Sequence, residues 1–500
     1  MIPAIRNSWR KCKGRTVNKK VSPHDRLPVS RGRPAAALLA AISALLAAPA
    51  YGQGGPALSQ TFVQQQRQIE EQIRQQFGEY LPPSQTWQFD AGDWQSFYFL
   101  NFDDGVRRRT MRLWDNRPWI AGTGDWGTHQ FYARLKMTYT DWNHGDSYNG
   151  DEDDFDGPDA DRLWYQFDLG QAAKVYGKTN LPFGFQAKVG RQYVEFGSGY
   201  TLSLPLDAVL LSTQVNNVEV RGLISKTIKG MDDIIDPSRP DSHEMDRHLL
   251  GVEARYRGRQ HTPFAFVLWD LDENPRSYFP GGQAHGYDSF YTGIGSMGQL
   301  AHNLRYSTEI VYEGGRSYGN GVMYGRDPIN ALGFDALIDY LIPNKYQPDF
   351  QLEYMFASGD GDRRGSPISA VGGNTSGVDS SFIAFGYRDT GMAFAPLLTN
   401  INIWRAGASV LPFTNRGALR RLRVGTDWFL YAKNKATGAV SDFTADRPDS
   451  YLGWEMDYYV NYQITEELAT TARCGVFFPG DAFSDRDSRS FFLLGVTYSF

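Results

Sequence analysis

From about residue 90 to its last position, the chain alternates apolar and polar residues with a period of two, segment after segment. That period belongs to strands whose two faces meet different surroundings. The final segment is the clearest: Phe492, Leu494, Val496, Tyr498 and Phe500 alternate with Leu493, Gly495, Thr497 and Ser499. Upstream, Leu452, Trp454, Met456, Tyr458 and Val460 alternate with Gly453, Glu455, Asp457 and Tyr459. Leu304, Tyr306, Thr308, Ile310 and Tyr312 do the same with Arg305, Ser307, Glu309 and Glu313. Such segments run to about ten residues, the length of a tilted bilayer crossing, whereas a soluble sandwich does not need that length throughout.

The spacing predicts about eighteen strands between residues 93–101 and 489–500. Their connections mostly alternate long and short. The long set includes 144–161, 228–246, 273–286, 316–329, 359–399 and 435–449; the short set includes 214–215, 259–260, 299–301, 343–346 and 465–466. Long external loops and short periplasmic turns characterise outer-membrane barrels, with both termini on the periplasmic side. Three connections depart from this: 171–184 and 412–419 are long for periplasmic turns, and 198–202 is short for an external loop. A sheet in hydrocarbon has no water to satisfy an open edge, so it must close. A barrel of this strand number is too wide for its side chains to fill, and leaves an aqueous channel. The expected fold is therefore all-β, a transmembrane antiparallel barrel spanning 89–500.

Composition agrees. Aromatic residues are 14% of the chain, with 28 Tyr and 52 Gly, yet the mean hydropathy is negative. The one long apolar run, Ala35 to Ala48, follows Arg31 and Arg33 and precedes Ala48-Pro49-Ala50. It is short for a spanning helix and reads as a secretory leader over 1–50, with an unusually long basic start. Without that leader the chain keeps 41 basic and 55 acidic residues, a net charge of −14 that argues against nucleic acid as a partner. Cys474 is then the only cysteine, so no disulfide framework or cysteine metal site is expected. No cofactor is expected either. The scattered His residues form no H-E-x-x-H. Gly315-Arg316-Ser317-Tyr318-Gly319 is formally G-x-S-x-G, but it runs into Asn320-Gly321 and lacks the helix a nucleophile elbow requires.

Residues 51–88 are expected to be a periplasmic linker with a short amphipathic helix over 58–77, where Leu58, Phe62, Ile69, Ile73 and Phe77 share a face. Pro82-Pro83 follows it. A periplasmic plug, a docking segment for a periplasmic partner, a short coiled coil, or a solvated helix preceding the barrel all fit that pattern.

With the polar phase pointing inward, the lumen receives Arg112, Arg134, Lys136, Lys188, Arg221, Arg255, Arg305, Arg405, Arg423 and Arg473. It also receives Asp168, Glu219, Glu253, Glu309, Glu353, Asp427, Glu455 and Asp457. Arginines in a constriction can bind carboxylates through two parallel hydrogen bonds. The alternative is a structural ladder in which pairs such as Glu219/Arg221 and Glu253/Arg255 neutralise cross-strand neighbours.

From about residue 95 onward the chain resembles the bacterial alginate export family of outer-membrane barrels. The resemblance rests on Val189-Gly190-Arg191-Gln192 with Glu195-Phe196-Gly197, on Ala357-Ser358-Gly359-Asp360, on Gly453, Glu455 and Asp457, and on Phe477-Phe478-Pro479-Gly480-Asp481-Ala482-Phe483. It implies a monomeric eighteen-stranded barrel in the cell outer membrane, whose electropositive constriction passes an anionic uronic-acid polysaccharide. It also implies that Arg191 lines the lumen. Strict alternation from Phe185, Ala187 and Val189 would turn Arg191 outward, so a β-bulge at Gly190 is expected to restore its phase. The helix at 58–77 is not part of the resemblance. Loop 144–161 carries eight Asp/Glu and no Lys or Arg, a field that repels a polyanion; its Asp151, Glu152, Asp153, Asp154 and Asp156 match no EF-hand spacing. The expected function is a channel for anionic polysaccharide guided by electrostatics, with a general or nutrient-specific porin as the alternative.

Overall fold

The computed structural model describes Arg67 and residues 79–148, 150–231, 233–235, 244–274, 286–319, 326–368, 374 and 377–500. The expected leader and the expected helix at 58–77 lie outside these residues, apart from Arg67.

Twenty hydrogen-bonded segments make eighteen wall strands, because two crossings are each interrupted once. The first, β1, runs Gln88–Gly92 and Trp94–Asp103; the second, β2, runs Arg108–Asn116 and Trp119–Gly124. Their pairing continues on both sides of the break, Gly92 opposite Trp119 and Gln95 opposite Asn116. The interruption falls at Pro118, which has no N–H to give to a ladder. There follow β3 (His129–Trp142), β4 (Asp153–Asp168), β5 (Gly184–Phe196), β6 (Leu202–Val215), β7 (Val218–Thr227), β8 (Arg247–Tyr256) and β9 (His261–Asp272). The second half comprises β10 (Asp288–Ala301), β11 (Leu304–Gly319), β12 (Arg326–Leu341), β13 (Asp349–Ala357) and β14 (Ile401–Val410). It ends with β15 (Leu422–Lys433), β16 (Tyr451–Gln463), β17 (Leu468–Pro479) and β18 (Arg489–Ser499). Every pairing is antiparallel, and β18 closes onto β1 from Trp94–Ser499 to Phe102–Phe491. The expected strand number is the observed one.

The outer phase carries exposed Phe99, Val189, Ile224, Val252, Trp269, Ile294, Leu352, Trp404, Trp428 and Leu494. This is the apolar band a bilayer requires. Cys474 sits in this phase, opposite Tyr458 and Phe492.

Three departures in the connections have physical causes. The long turn after β4 holds a helix, α1 (Leu169–Val175), capped by Asp168, whose carboxylate accepts from Gln171 N. Half of the acidic stretch expected as loop 144–161, with five of its eight carboxylates, is strand, since β4 begins at Asp153; paired β3 carries it outward. The short connection after β5 is the tip of a hairpin that leaves the wall. The β4–β5 ladder ends at Leu163–Arg191, and the β6–β7 ladder begins at Leu206–Thr227. Residues 192–205 therefore pair with one another and enter the bore.

Gly190 marks the bend, with a φ of 120°. No register shift occurs there, so the expected bulge is absent and Arg191 stays in the phase of Val189, opposite Leu163 and Asp207. A Cβ at Gly190 would lie 2.1 Å from Leu163 O. Gly190→Val is expected to destabilise the hinge by about 1–3 kcal/mol. The readout is the temperature at which the folded band on unboiled electrophoresis converts to the unfolded one; a midpoint equal to wild type would contradict the bend.

Candidate functional site: the lumen

The lumen is built from the wall's inner phase and two inward segments. The first is the β5–β6 hairpin. At its tip Gly197 N donates to Glu253 Oε1 (2.8 Å) and Gly197 O accepts from Arg255 Nη2 (2.8 Å), both on β8. Ser198 Oγ and Thr201 Oγ1 donate to the two oxygens of Glu309 on β11, at 2.7 and 2.8 Å. Tyr200 OH reaches Phe356 O on β13 at 2.5 Å, on the far side of the barrel.

The second is the connection 358–400. It is expected as an external loop over 359–399; its described part (358–368, 374 and 377–400) turns inward and binds the hairpin edge: Ser203 N donates to Phe385 O, and Phe385 N to Thr201 O. Phe382, Ile383, Phe385, Met392 and Phe394 are buried. They share one buried cluster with Tyr98, Leu100 and Phe102 on the inner phase of the wall and with Val194, Phe196 and Leu204 of the hairpin. The inner face is consequently not uniformly polar; where these segments fill the bore, the wall is dry on both sides. A solvated loop would not carry the run Phe382-Ile383-Ala384-Phe385, which was the available signal in the sequence.

Charged side chains hold this assembly. The Glu455 carboxylate accepts from Met392 N (2.6 Å), Ala393 N (2.6 Å) and Phe394 N (2.9 Å). Glu313 accepts from Ile383 N at 2.9 Å. Arg388 binds Asp335 on β12 through Nε (3.1 Å) and Nη2 (2.8 Å). Burial disfavours its charge, but Asp335 and Glu353 outweigh it and lift its pKa above the ordinary value. Ser317, of the G-x-S-x-G match, is buried and hydrogen bonded to Asp379 and Arg363 within this network. It lies in strand β11, so no nucleophile elbow forms around it.

The sequence-derived candidates divide accordingly. Arg405 is central: it bonds Asp427 (2.9 Å) and Glu353 (3.1 Å) and lies 3.4 Å from Asp389. Arg221 and Arg255 flank Glu253, and Arg305 pairs with Asp339 while staying largely exposed. Arg134 is buried against Asp161 and Trp94. Lys136 faces Asp159 between two irregularities of the β3–β4 ladder. Lys188 lies over the Trp164 ring at 3.9 Å. Arg473 shares its phase with buried Phe477, and Asp457 is buried beside Gly475. Arg423 donates to Ser409 Oγ (2.9 Å) and Gln347 Oε1 (3.3 Å).

Two candidates do not face the lumen. Arg112 is paired with Phe99 in the outer phase and bonds Asp141 at 3.2 Å. An ion pair near the end of the strand escapes the midplane penalty that inward placement was meant to avoid. Arg191 also stands in the outer phase, its guanidinium held by Asp207 (2.8 and 3.0 Å) and Ala160 O (2.6 Å). Without the bulge nothing flips it, and the salt bridge satisfies its charge at the bend.

Residues 79–81 lie against the inner wall. Glu79 accepts from Trp164 Nε1 at 3.0 Å, Tyr80 OH receives Lys188 Nζ at 3.0 Å, and Leu81 packs on Ala121, Tyr132 and Trp164. Arg67 Nη1 donates to Gly386 O at 3.3 Å, beside the inward connection. Among the described residues no group of three His, Cys, Asp or Glu could hold a metal ion.

Comparison with known proteins places this geometry. A family model described as alginate export matches residues 237–495. Among solved structures, Pseudomonas aeruginosa OccK8 (OprE) aligns at 11% identity, over 83% of this chain and 98% of that one, with a TM-score of 0.52. Pseudomonas aeruginosa OccK5 (OpdH) aligns at 12% identity over 83% and 98%, with a TM-score of 0.51. At these identities the likeness is one of fold. No curated protein matched the chain in sequence.

If Glu455 anchors the inward connection, Glu455→Ala should free three backbone donors and cost about 3 kcal/mol or more locally. The expected outcome is faster proteolysis between residues 383 and 399 and a larger single-channel conductance. Unchanged cleavage and conductance would remove Glu455 from that role.

Proposed function

The chain belongs to the alginate export family, and from that premise we propose that it is an outer-membrane channel for anionic, uronate-type polysaccharide. It acts as a monomeric barrel, passively and without a cofactor. The observation that carries the reading is the concentration of guanidinium groups in the inner phase, Arg221, Arg255, Arg305, Arg405, Arg423 and Arg473, in a chain that is otherwise acidic. Those that neutralise wall carboxylates hold the inward segments and set the width of the bore. Arg423, whose hydrogen bonds go to the neutral oxygens of Ser409 and Gln347, is placed to receive a passing carboxylate.

A porin for small solutes is the second reading, favoured by the inward segments, which narrow the bore. The two differ in what they select. Purified protein in a planar bilayer should conduct with anion preference, and its current should be blocked by short oligouronates but not by neutral oligosaccharides of equal length. Current indifferent to both would favour the porin.

A further inference from the structure

Most lumenal arginines already face carboxylates, so a ligand carboxylate would have to displace a wall partner. Arg405 faces three, Arg221 and Arg255 share Glu253, and Arg134 is closed in with Asp161. The periplasmic end of β15 differs. The turn from β14 into β15, Leu411 to Arg421 and on to Val424, contains Arg416, Arg420, Arg421 and Arg423 and no Asp or Glu. That is a concentrated positive field on a chain of negative net charge. It also belongs to the connection that is long for a periplasmic turn. Tyr462 OH donates to Ala418 O at 2.9 Å and fixes the turn against β16.

A cavity of about 220 Å³ opens beside it, lined by Arg421 and Arg423 together with Tyr98, Asn461, Gln463 and Thr471. The space is that of roughly one sugar ring. Arg423 is hydrogen bonded to two neutral oxygens, on Ser409 and Gln347, and has the Asp349 carboxylate, cross-strand from Ser409, within range of its charge but not bonded to it. Arg421 has Glu466 only at 3.9 Å, with that carboxylate 89% exposed. An exposed ion pair of that geometry is worth little and exchanges readily. Thr471 Oγ1 donates to Asn461 Oδ1 at 2.8 Å, which orients the amide within the lining. Two guanidinium groups suit a carboxylate, while amides, a hydroxyl and a tyrosine ring suit the hydroxyls and flat face of a sugar.

We propose that this cavity is a periplasmic loading subsite for a single carboxylated sugar unit, with Arg421 and Arg423 receiving the carboxylate. It rests on the anionic-polysaccharide reading and adds a direction: the chain's substrate is captured at the periplasmic mouth before it meets the narrowed bore. The inner-phase placement of Arg423, Asn461 and Thr471 favours a lumenal glycan over a lipid headgroup, which would meet the outer phase.

The test is calorimetric titration of the full-length protein in nanodiscs of phosphatidylcholine with a uronate tetrasaccharide, comparing wild type with Arg421→Gln/Arg423→Gln. The double variant should bind at least tenfold more weakly, with its folded band on unboiled electrophoresis unchanged. Arg423→Lys should recover part of the loss, because charge returns without the two-pronged geometry. Equal affinity in wild type and double variant, with wild-type current still blocked by oligouronate, would overturn the subsite and leave the channel reading standing. Neither binding nor block in wild type would overturn both. If instead the double variant lost co-purifying anionic phospholipid while oligouronate affinity held, the basic turn would serve headgroups and the proposal would fail.

Discussion

The closing ladder between β18 and β1 is the contact on which the rest of this structure depends. In hydrocarbon each unpaired peptide group costs several kcal/mol, and eighteen strands joined by only seventeen ladders would still present two bare edges. Closure removes both. It also fixes the strand number, and with it a bore that wall side chains alone cannot fill. What occupies that bore is then a matter of loops, and here the chain places its longest connection and one wall hairpin inside it.

Keeping those segments inside requires more than apolar contact, because their backbone groups leave water as well. Carboxylates on the wall supply the acceptors: Glu253 for Gly197, Glu309 for Ser198, Glu313 for Ile383, Glu455 for three successive amides. Hydrogen bonds to a charged acceptor are stronger than neutral ones, and a buried carboxylate needs such donors to be tolerated at all. The acidic character of the inner wall therefore follows from the loops it binds. It need not oppose passage of an anion where a guanidinium offsets it, as Arg388 does at Asp335 and Arg405 at Asp427.

Much of this was legible beforehand, and the limits are instructive. Alternation in segments of about ten residues gave the barrel, its strand number and the outward phase, since each depends only on local period and membrane thickness. Alternation alone turns Arg191 outward, as observed; its inward placement comes from the resemblance and an expected bulge at Gly190, and glycine alone does not distinguish a bend that keeps the register from a bulge. Arg112 was misplaced for a related reason: near a strand end an ion pair with Asp141 relaxes the rule that charges point inward. Arg388 and Asp335 pair across fifty-three positions, and no one-dimensional pattern encodes such contacts. The aromatic stretch around Phe382–Phe385 carries the signal that its loop leaves solvent, which length alone, by assigning 359–399 to the external set, does not use.

The account stands on a bore occupied by its own hairpin tip, held against the inner wall at β8, β9 and β11. Gly197 at that tip lies against the ring of Phe266 on β9. The direct measurement is thiol cross-linking in isolated outer membranes of Ser198→Cys/Phe266→Cys, with Cys474→Ala, using a short bifunctional reagent. Rapid internal cross-linking together with a fixed single-channel conductance is the expected result. Separate modification of both thiols by a membrane-impermeant reagent, with no link formed, would contradict it.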